Sequence, residues 1–511
     1  MSNKKEGDFV SHSDEQAIVS IKHFDELLDD VSLALDTYQR PYVWDEKKVN
    51  QLLDDLIEFQ LQLEVPAKKK YYLGSLLLHD AKEKRFVIDG QQRLTTLYVL
   101  YSVVNNGILP DWKEFTYRSY TSVKNIQLAK QVIQERLKTE SIDLELFKRF
   151  EFTTITVFEP DLAFTFFDTQ NNRGVPLKAT DLLKAFHLRA IGNHESDSKL
   201  IELYQSHCAE RWERVQTSSE LTHRSDGNDY APELFHYFLW RARTWRGRDV
   251  ALLESRDRLY NAFGEQARAS TKLSEIKLYA DGSNKWADAL RLQPDNEYHI
   301  QMASIRMGQN AAHLPFAIRQ PIEQGVGFFL YAEKYAALLN WVFHDQSTGV
   351  REINNMQKLY GDVVCLLSIY LRRLFQLAVL MYVDRLGTDQ LDVFAEWLNY
   401  RLAAIRLSQS DIRKETPIKY LRDQRLNLLD VIAHSYDSIE VIDFLKREPV
   451  DDVFLNRQKS GADNSTDIGW ENLIESPKGV KGKYVKSLAN YYGITSLERL
   501  RESIEKNSRV G

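Results

Sequence analysis

A chain of 511 residues exceeds one ordinary hydrophobic core, so two or three domains are expected. Its 43% hydrophobic and 11% aromatic content supports a well-packed globular protein, while a formal charge of −6 excludes a polybasic nucleic-acid binder but not a local basic groove. The two cysteines, Cys208 and Cys365, form no CxxC pair, which argues against structural zinc or a disulfide framework and suits buried thiols in a reducing cytoplasm.

Residues 1–16 are polar, carry no secretory signal and read as a disordered tail. The run Tyr38-Gln39-Arg40-Pro41-Tyr42-Val43-Trp44 then precedes a helical pattern at Val49, Leu52, Leu53, Leu56 and Phe59, with Asp45 placed to cap it. Tyr71 to Leu78 and Arg85 to Ile88 read as the strands of a hairpin turning at residues 80–84. Directly after the second strand comes Asp89-Gly90-Gln91-Gln92-Arg93, and Leu94, Leu97, Tyr98, Tyr101 and Val104 continue on one helical face.

That strand-to-helix junction is the most informative place in the chain. Free backbone N–H groups and the positive end of the helix dipole meet there, which favours an anion such as phosphate. Arg93 adds a planar fork that can hold phosphate through two hydrogen bonds. The competing reading is an ordinary turn in which Asp89 caps the helix and Arg93 forms a surface ion pair.

Residues 111–150 read as mostly helical and charged, and Phe152 to Phe158 as a further strand ended by Pro160. Phe166 to Leu177 contains Asn171-Asn172-Arg173-Gly174, a turn sequence in which Gly174 can take positive φ. Thr180 or Asp181 can cap the next helix, where His187 reads as a packing residue.

The three segments at 38–44, 89–93 and 171–177 resemble, in content and order, the N-terminal domain of GmrSD-type modification-dependent restriction systems. A phosphorothioate-sensing defence protein carries a similar domain. The resemblance covers residues 15–190 and implies a ParB/sulfiredoxin-like fold whose Asp-Gly-Gln-Gln-Arg motif is associated with nucleotide hydrolysis. It further implies a bacterial defence role, a nucleoside triphosphate as substrate or ligand, Mg2+ as cofactor, and DNA, possibly modified, as partner.

Carried onto this chain, Asp89, Gln91, Gln92 and Arg93 are the candidate catalytic residues. Asp89 would hold the metal or position water, Gln91 or Gln92 would orient water, and Arg93 would neutralise developing charge. Tyr38, Gln39, Arg40, Gly90, Thr95, Asn171, Asn172, Arg173 and Gly174 form the candidate nucleotide-binding set. Tyr38, Tyr42 and Trp44 also read as core or wall aromatics, and Thr95 and Thr96 as packing residues. No Walker A sequence is present.

Longer members of the family carry a C-terminal nuclease module with a His-Ile-x-x-Pro-like signature. Neither His344 nor His434 is followed by that proline, so a separate nuclease or effector subunit is expected. Two other readings stand beside the hydrolytic sensor. One is a non-hydrolytic DNA- or nucleotide-binding docking module that recruits an effector. The other is a nuclease using the N-terminal pocket, for which Asp89 and Asp168 are the plausible carboxylates.

Beyond residue 195 amphipathic helical patterns dominate, at 233–243, 333–343, 356–386 and 390–406, with breaks at 218–229, 281–284 and 310–327. The apolar stretch 374–383 is too short to span a bilayer. Lys478, Lys481, Lys483 and Lys486 form a basic cluster that can touch nucleic-acid phosphates or merely face solvent.

The expected fold class is therefore α+β: a tail at 1–16, a ParB-like nucleotide-binding domain at 17–192, a helical domain at 193–454 and a C-terminal segment at 455–511. The protein is expected in the cytoplasm with no membrane partner, and a helical extension of this size makes a homo-oligomer an expected assembly.

Overall fold

The computed structural model describes residues 17–30, 32–35, 41–62, 70–81, 84–107, 117, 120–159, 162, 178–192, 197–218, 229–253, 255–270, 275–279, 288–292, 298–302, 310–346, 348–447, 450–455 and 470–510. The chain divides into two units, Met1–Ala185 and Phe186–Gly511. The tail at 1–16 lies outside the described residues.

In the first unit the elements run β1 (Ala17–His23), α1 (Phe24–Leu28), β2 (Leu33–Leu35), α2 (Glu46–Leu61), β3 (Tyr71–Asp80), β4 (Arg85–Asp89), α3 (Gln91–Val104), α4 (Tyr120–Arg136), α5 (Leu144–Phe147) and β5 (Phe150–Val157). The strands form one mixed sheet in the order β1-β5-β3-β4-β2. β1 and β5 are antiparallel, as are β3 and β4, whereas β3–β5 and β2–β4 are parallel. The expected hairpin is β3–β4, with Leu78 opposite Val87 and Asp80 opposite Arg85.

Local chemistry accounts for these boundaries. Asp45 caps α2 by accepting from the Lys48 N–H at 3.0 Å, and Val49, Leu52, Leu53, Leu56 and Phe59 are its buried face. The last four residues of β5, Thr154 to Val157, are all β-branched and pair on both sides, with β1 and with β3. Phe24, Phe147 and Phe150 gather where α1, α5 and β5 meet, with ring centroids 5.2–6.3 Å apart. Leu76, Leu78, Val87, Leu94 and Leu97 belong to the same buried core, which joins the sheet to α3.

The second unit is mainly helical. Its helices include Ser198–Thr217, Val326–Phe343, Arg351–Asp362, Ile369–Leu386, Leu391–Ser408, Ser438–Arg447 and Gly479–Tyr492. Two sequence readings need correction. The region is not purely helical, because Asp288–Leu292 and Tyr298–Met302 pair as an antiparallel hairpin. The pattern at 356–386 is two helices, since the chain leaves the helix at Val363 and restarts at Ser368, whose side chain caps Leu371. The amphipathic period continues across the break, so periodicity alone does not show it.

His187 sits in this core. Its Nε2 donates to the Phe263 carbonyl at 2.9 Å and its Nδ1 accepts from the Gly325 N–H at 3.3 Å. The ring stacks on Phe328 at 3.7 Å, and burial pushes its pKa down to about 3. A buried Lys334 pairs with Asp384, which also accepts from the Tyr335 hydroxyl and the Ile318 N–H. No helix among the described residues is long and apolar enough to cross a membrane.

Candidate functional site

β4 delivers Asp89 to the end of the sheet, and Gly90 turns the chain into α3 with φ of +93°. That left-handed conformation is open to glycine and strained for other residues. Space makes the same demand, because a Cβ on Gly90 would collide with the Leu76 side chain of β3.

α3 thus begins without a side-chain cap and without an acidic residue in its first turn. Gly90, Gln91 and Gln92 are buried, so the N–H groups of this helix start are largely withdrawn from water. A buried helix N-terminus carries partial positive charge and wants acceptors. The Asp89 side chain, half-buried beside it, has no hydrogen-bond or ion-pair partner among the described residues. The Gln91 carboxamide oxygen is also buried without a partner.

Gln92 and Arg93 spend their polar groups on backbone. The Gln92 amide accepts from the Val43 N–H at 2.8 Å and donates to the Pro41 carbonyl at 3.1 Å, tying the Pro41–Trp44 segment to α3. Arg93 donates through Nη1 to the Leu73 carbonyl and through Nη2 to the Ser75 carbonyl at 3.1 Å. Gly74 stands between those two carbonyls, also at φ of +93°, and the β3–β5 register shifts at this point. A Cβ at position 74 would occupy the place of the Arg93 guanidinium.

The threonines extend the framework. Thr95 donates to the Gln91 carbonyl at 2.7 Å and meets the Tyr117 hydroxyl. Thr96 bonds the Gln92 carbonyl at 2.9 Å and the Tyr42 hydroxyl at 2.8 Å. Burial pushes the Tyr42 hydroxyl up to about 12 and the Tyr117 hydroxyl upward as well, so both are neutral at physiological pH. The Tyr42 backbone is held by Ser122 Oγ at 2.9 Å and Asn125 Nδ2 at 2.9 Å.

The structure therefore brings Asp89, Gly90, Gln91, Gln92, Arg93 and Thr95 together at the start of α3. Tyr38, Gln39, Arg40, Asp168, Asn171, Asn172, Arg173 and Gly174 lie outside the described residues. No group of three or more His, Cys, Asp or Glu side chains with metal-holding geometry occurs among the described residues. A groove of about 660 Å³ lined by Val103, Val104, Gln134 and Leu137 opens at the far end of α3 and is separate from the motif.

In the second unit Lys478, Lys483 and Lys486 are exposed. Lys481 is half-buried and donates to the Leu407 carbonyl at 2.6 Å, while burial and the Arg406 charge push its pKa down. Its ammonium is thus committed to the protein, which leaves three lysines of the cluster facing solvent.

Gly74 is the contributor that motif reading overlooks. Its signal is a glycine inside an apolar strand, which marks a bulge or a close approach. Tyr117 and Ser122 carried no such signal, because their partners lie far away in sequence.

Two family models match the chain. One is described as the GmrSD restriction endonuclease, N-terminal domain, and matches residues 24–188. The other is described as a family of unknown function (DUF7834) and matches residues 204–461, half of the chain. No curated protein matches it. The chain belongs to the DUF7834 family of unknown function and carries, ahead of that region, an N-terminal domain of the GmrSD restriction endonuclease type.

Proposed function

We propose that the N-terminal unit binds and hydrolyses a nucleoside triphosphate and acts as the sensor of a restriction-like defence system against foreign or modified DNA. The observation that carries this reading is the buried, uncapped start of α3 with the unpartnered Asp89 beside it. Phosphate oxygens would accept from the first-turn N–H groups. Arg93 contributes a full positive charge at the same place while its two backbone bonds hold its position. A ParB/sulfiredoxin-like fold for residues 24–188 belongs to the same proposal.

One carboxylate with no cation partner suits Mg2+, which commonly takes one or two protein carboxylates together with substrate phosphates. When bound, the ion would neutralise phosphate charge during transfer. Asp89 is the residue that would hold it, and Gln91, with a free carboxamide oxygen, is better placed than Gln92 to orient water. A separate nuclease or effector subunit belongs to the same proposal.

The docking-module reading has its own support, because Gln92 and Arg93 both act as backbone ties. Phosphate release from GTP, UTP, CTP and ATP with magnesium, with and without DNA, separates the two. Hydrolysis that disappears in a folded Asp89→Asn protein supports the sensor. Undiminished hydrolysis in that variant would sink the pocket, and a lack of both binding and turnover would leave docking.

A further inference from the structure

The segment Leu234–Leu239 is wound as a π-helix, continuous with Ala231–Glu233 before it and Trp240–Thr244 after it. Such turns redirect side chains and are frequent at functional sites. Here the π turn sets Tyr237 against two arginines. The Arg373 guanidinium carbon lies 3.4 Å from the ring centroid and that of Arg241 lies 4.8 Å from it. Arg241 also lies 4.7 Å from the Trp245 ring.

Donors at this place outnumber acceptors. Arg373 donates to Glu233 at 2.9 Å, yet its Nε is buried with no acceptor. Arg241 is 8% exposed, and no described residue accepts a hydrogen bond from it or forms an ion pair with it. The Tyr230 hydroxyl, near the Glu233 and Arg373 charges, is buried and unpartnered. Two guanidiniums thus face one carboxylate. The rings offset part of the cost of burying a cation, but they do not satisfy five N–H donors.

Several other buried charges in this unit meet a counter-charge among the described residues. Asp384 answers Lys334, Asp430 answers Arg319 at 2.6 Å, and Arg211 and Arg214 share Glu333. Arg241 departs from that pattern. A buried, unpaired charge is costly unless something outside the chain completes it.

We propose that Arg241 and Arg373 form a binding site for a phosphate oxyanion in the DUF7834 region. Two planar forks gathered at one tyrosine ring suit a tetrahedral oxyanion. Burial together with the two arginine charges lowers His236 to about 4, so it is neutral at pH 7 and does not compete for the anion. This site stands apart from the proposal for the first unit and does not depend on it.

The test is the melting temperature of the full chain titrated with inorganic phosphate at constant ionic strength. Parallel titrations use an oligonucleotide with and without a 5′-phosphate. A saturable rise that disappears in Arg241→Met is expected. Should Arg241→Met not fold, Arg241→Lys keeps the charge without the fork and should raise the half-saturating phosphate concentration at least tenfold. The phosphorylated oligonucleotide acting at lower concentration than inorganic phosphate would assign a nucleic-acid end, and the reverse order would assign free phosphate. No saturable rise in the native chain, or a rise of equal midpoint in the folded Arg241 variants, overturns the proposal.

Discussion

Arg93 lies across Gly74. The guanidinium bridges the Leu73 and Ser75 carbonyls and fills the volume in which a side chain at 74 would start. One residue of the helix and one missing side chain of the strand thereby fasten the start of α3 to β3. The exchange is reciprocal, since Leu76 of β3 occupies the corresponding space over Gly90.

Gly74→Ala should therefore cost more than an ordinary glycine substitution. A left-handed φ of +93° is itself unfavourable for alanine by about 1–2 kcal/mol, and displacement of Arg93 adds to it. Urea unfolding should show a loss of about 2 kcal/mol or more. A loss below half of that would mean the guanidinium shifts aside freely.

Arg93→Ala should destabilise the first unit by about 1–3 kcal/mol, because the Leu73 and Ser75 carbonyls lose charged donors. Arg93→Lys should recover part of that, since an ammonium reaches one carbonyl and not both. Equal melting temperatures for Arg93→Ala and the native chain would show that the bridge contributes nothing.

His187 makes stability depend on pH. Its folded pKa is about 3 and its unfolded value is near 6.5, so the unfolded chain binds the extra proton between them. The stability is complete above the unfolded value and falls as pH drops from there toward the folded one, by about 1.4 kcal/mol per pH unit. His236, lowered to about 4, adds a slope of the same sign. Denaturant unfolding at pH 7 and pH 5 should give a smaller difference in His187→Gln than in the native chain. An unchanged difference would remove His187 from the account.

Asp384→Ala should destabilise the second unit by about 3–5 kcal/mol, since it leaves the Lys334 ammonium buried without its counter-charge. Replacing both partners, as Lys334→Met with Asp384→Leu, should cost much less. A double variant less stable than Asp384→Ala would contradict that argument.

Several elements were legible from local pattern. Asp45 and the spacing of Val49 to Phe59 gave α2, and the turn residues at 80–84 gave the β3–β4 hairpin. Asp89 to Arg93 identified both the junction and its family. The hairpin at 288–302 escaped because its two short strands lie among helical periods, and the break at Val363 escaped because the apolar period runs through it.

The sequence by itself determined the α+β class, the strand-to-helix junction and the relation to the GmrSD N-terminal domain, because periodicity, capping and motif order are local properties of the chain. Tertiary structure alone decided where the polar groups of that motif go. Gln92 and Arg93 could serve a ligand or the backbone as far as sequence can say; the bulge at Gly74 and the segment at Pro41–Val43 place carbonyls and an N–H within their reach. The unmatched Arg241 was equally hidden, because a charge is unpaired only in relation to everything folded around it.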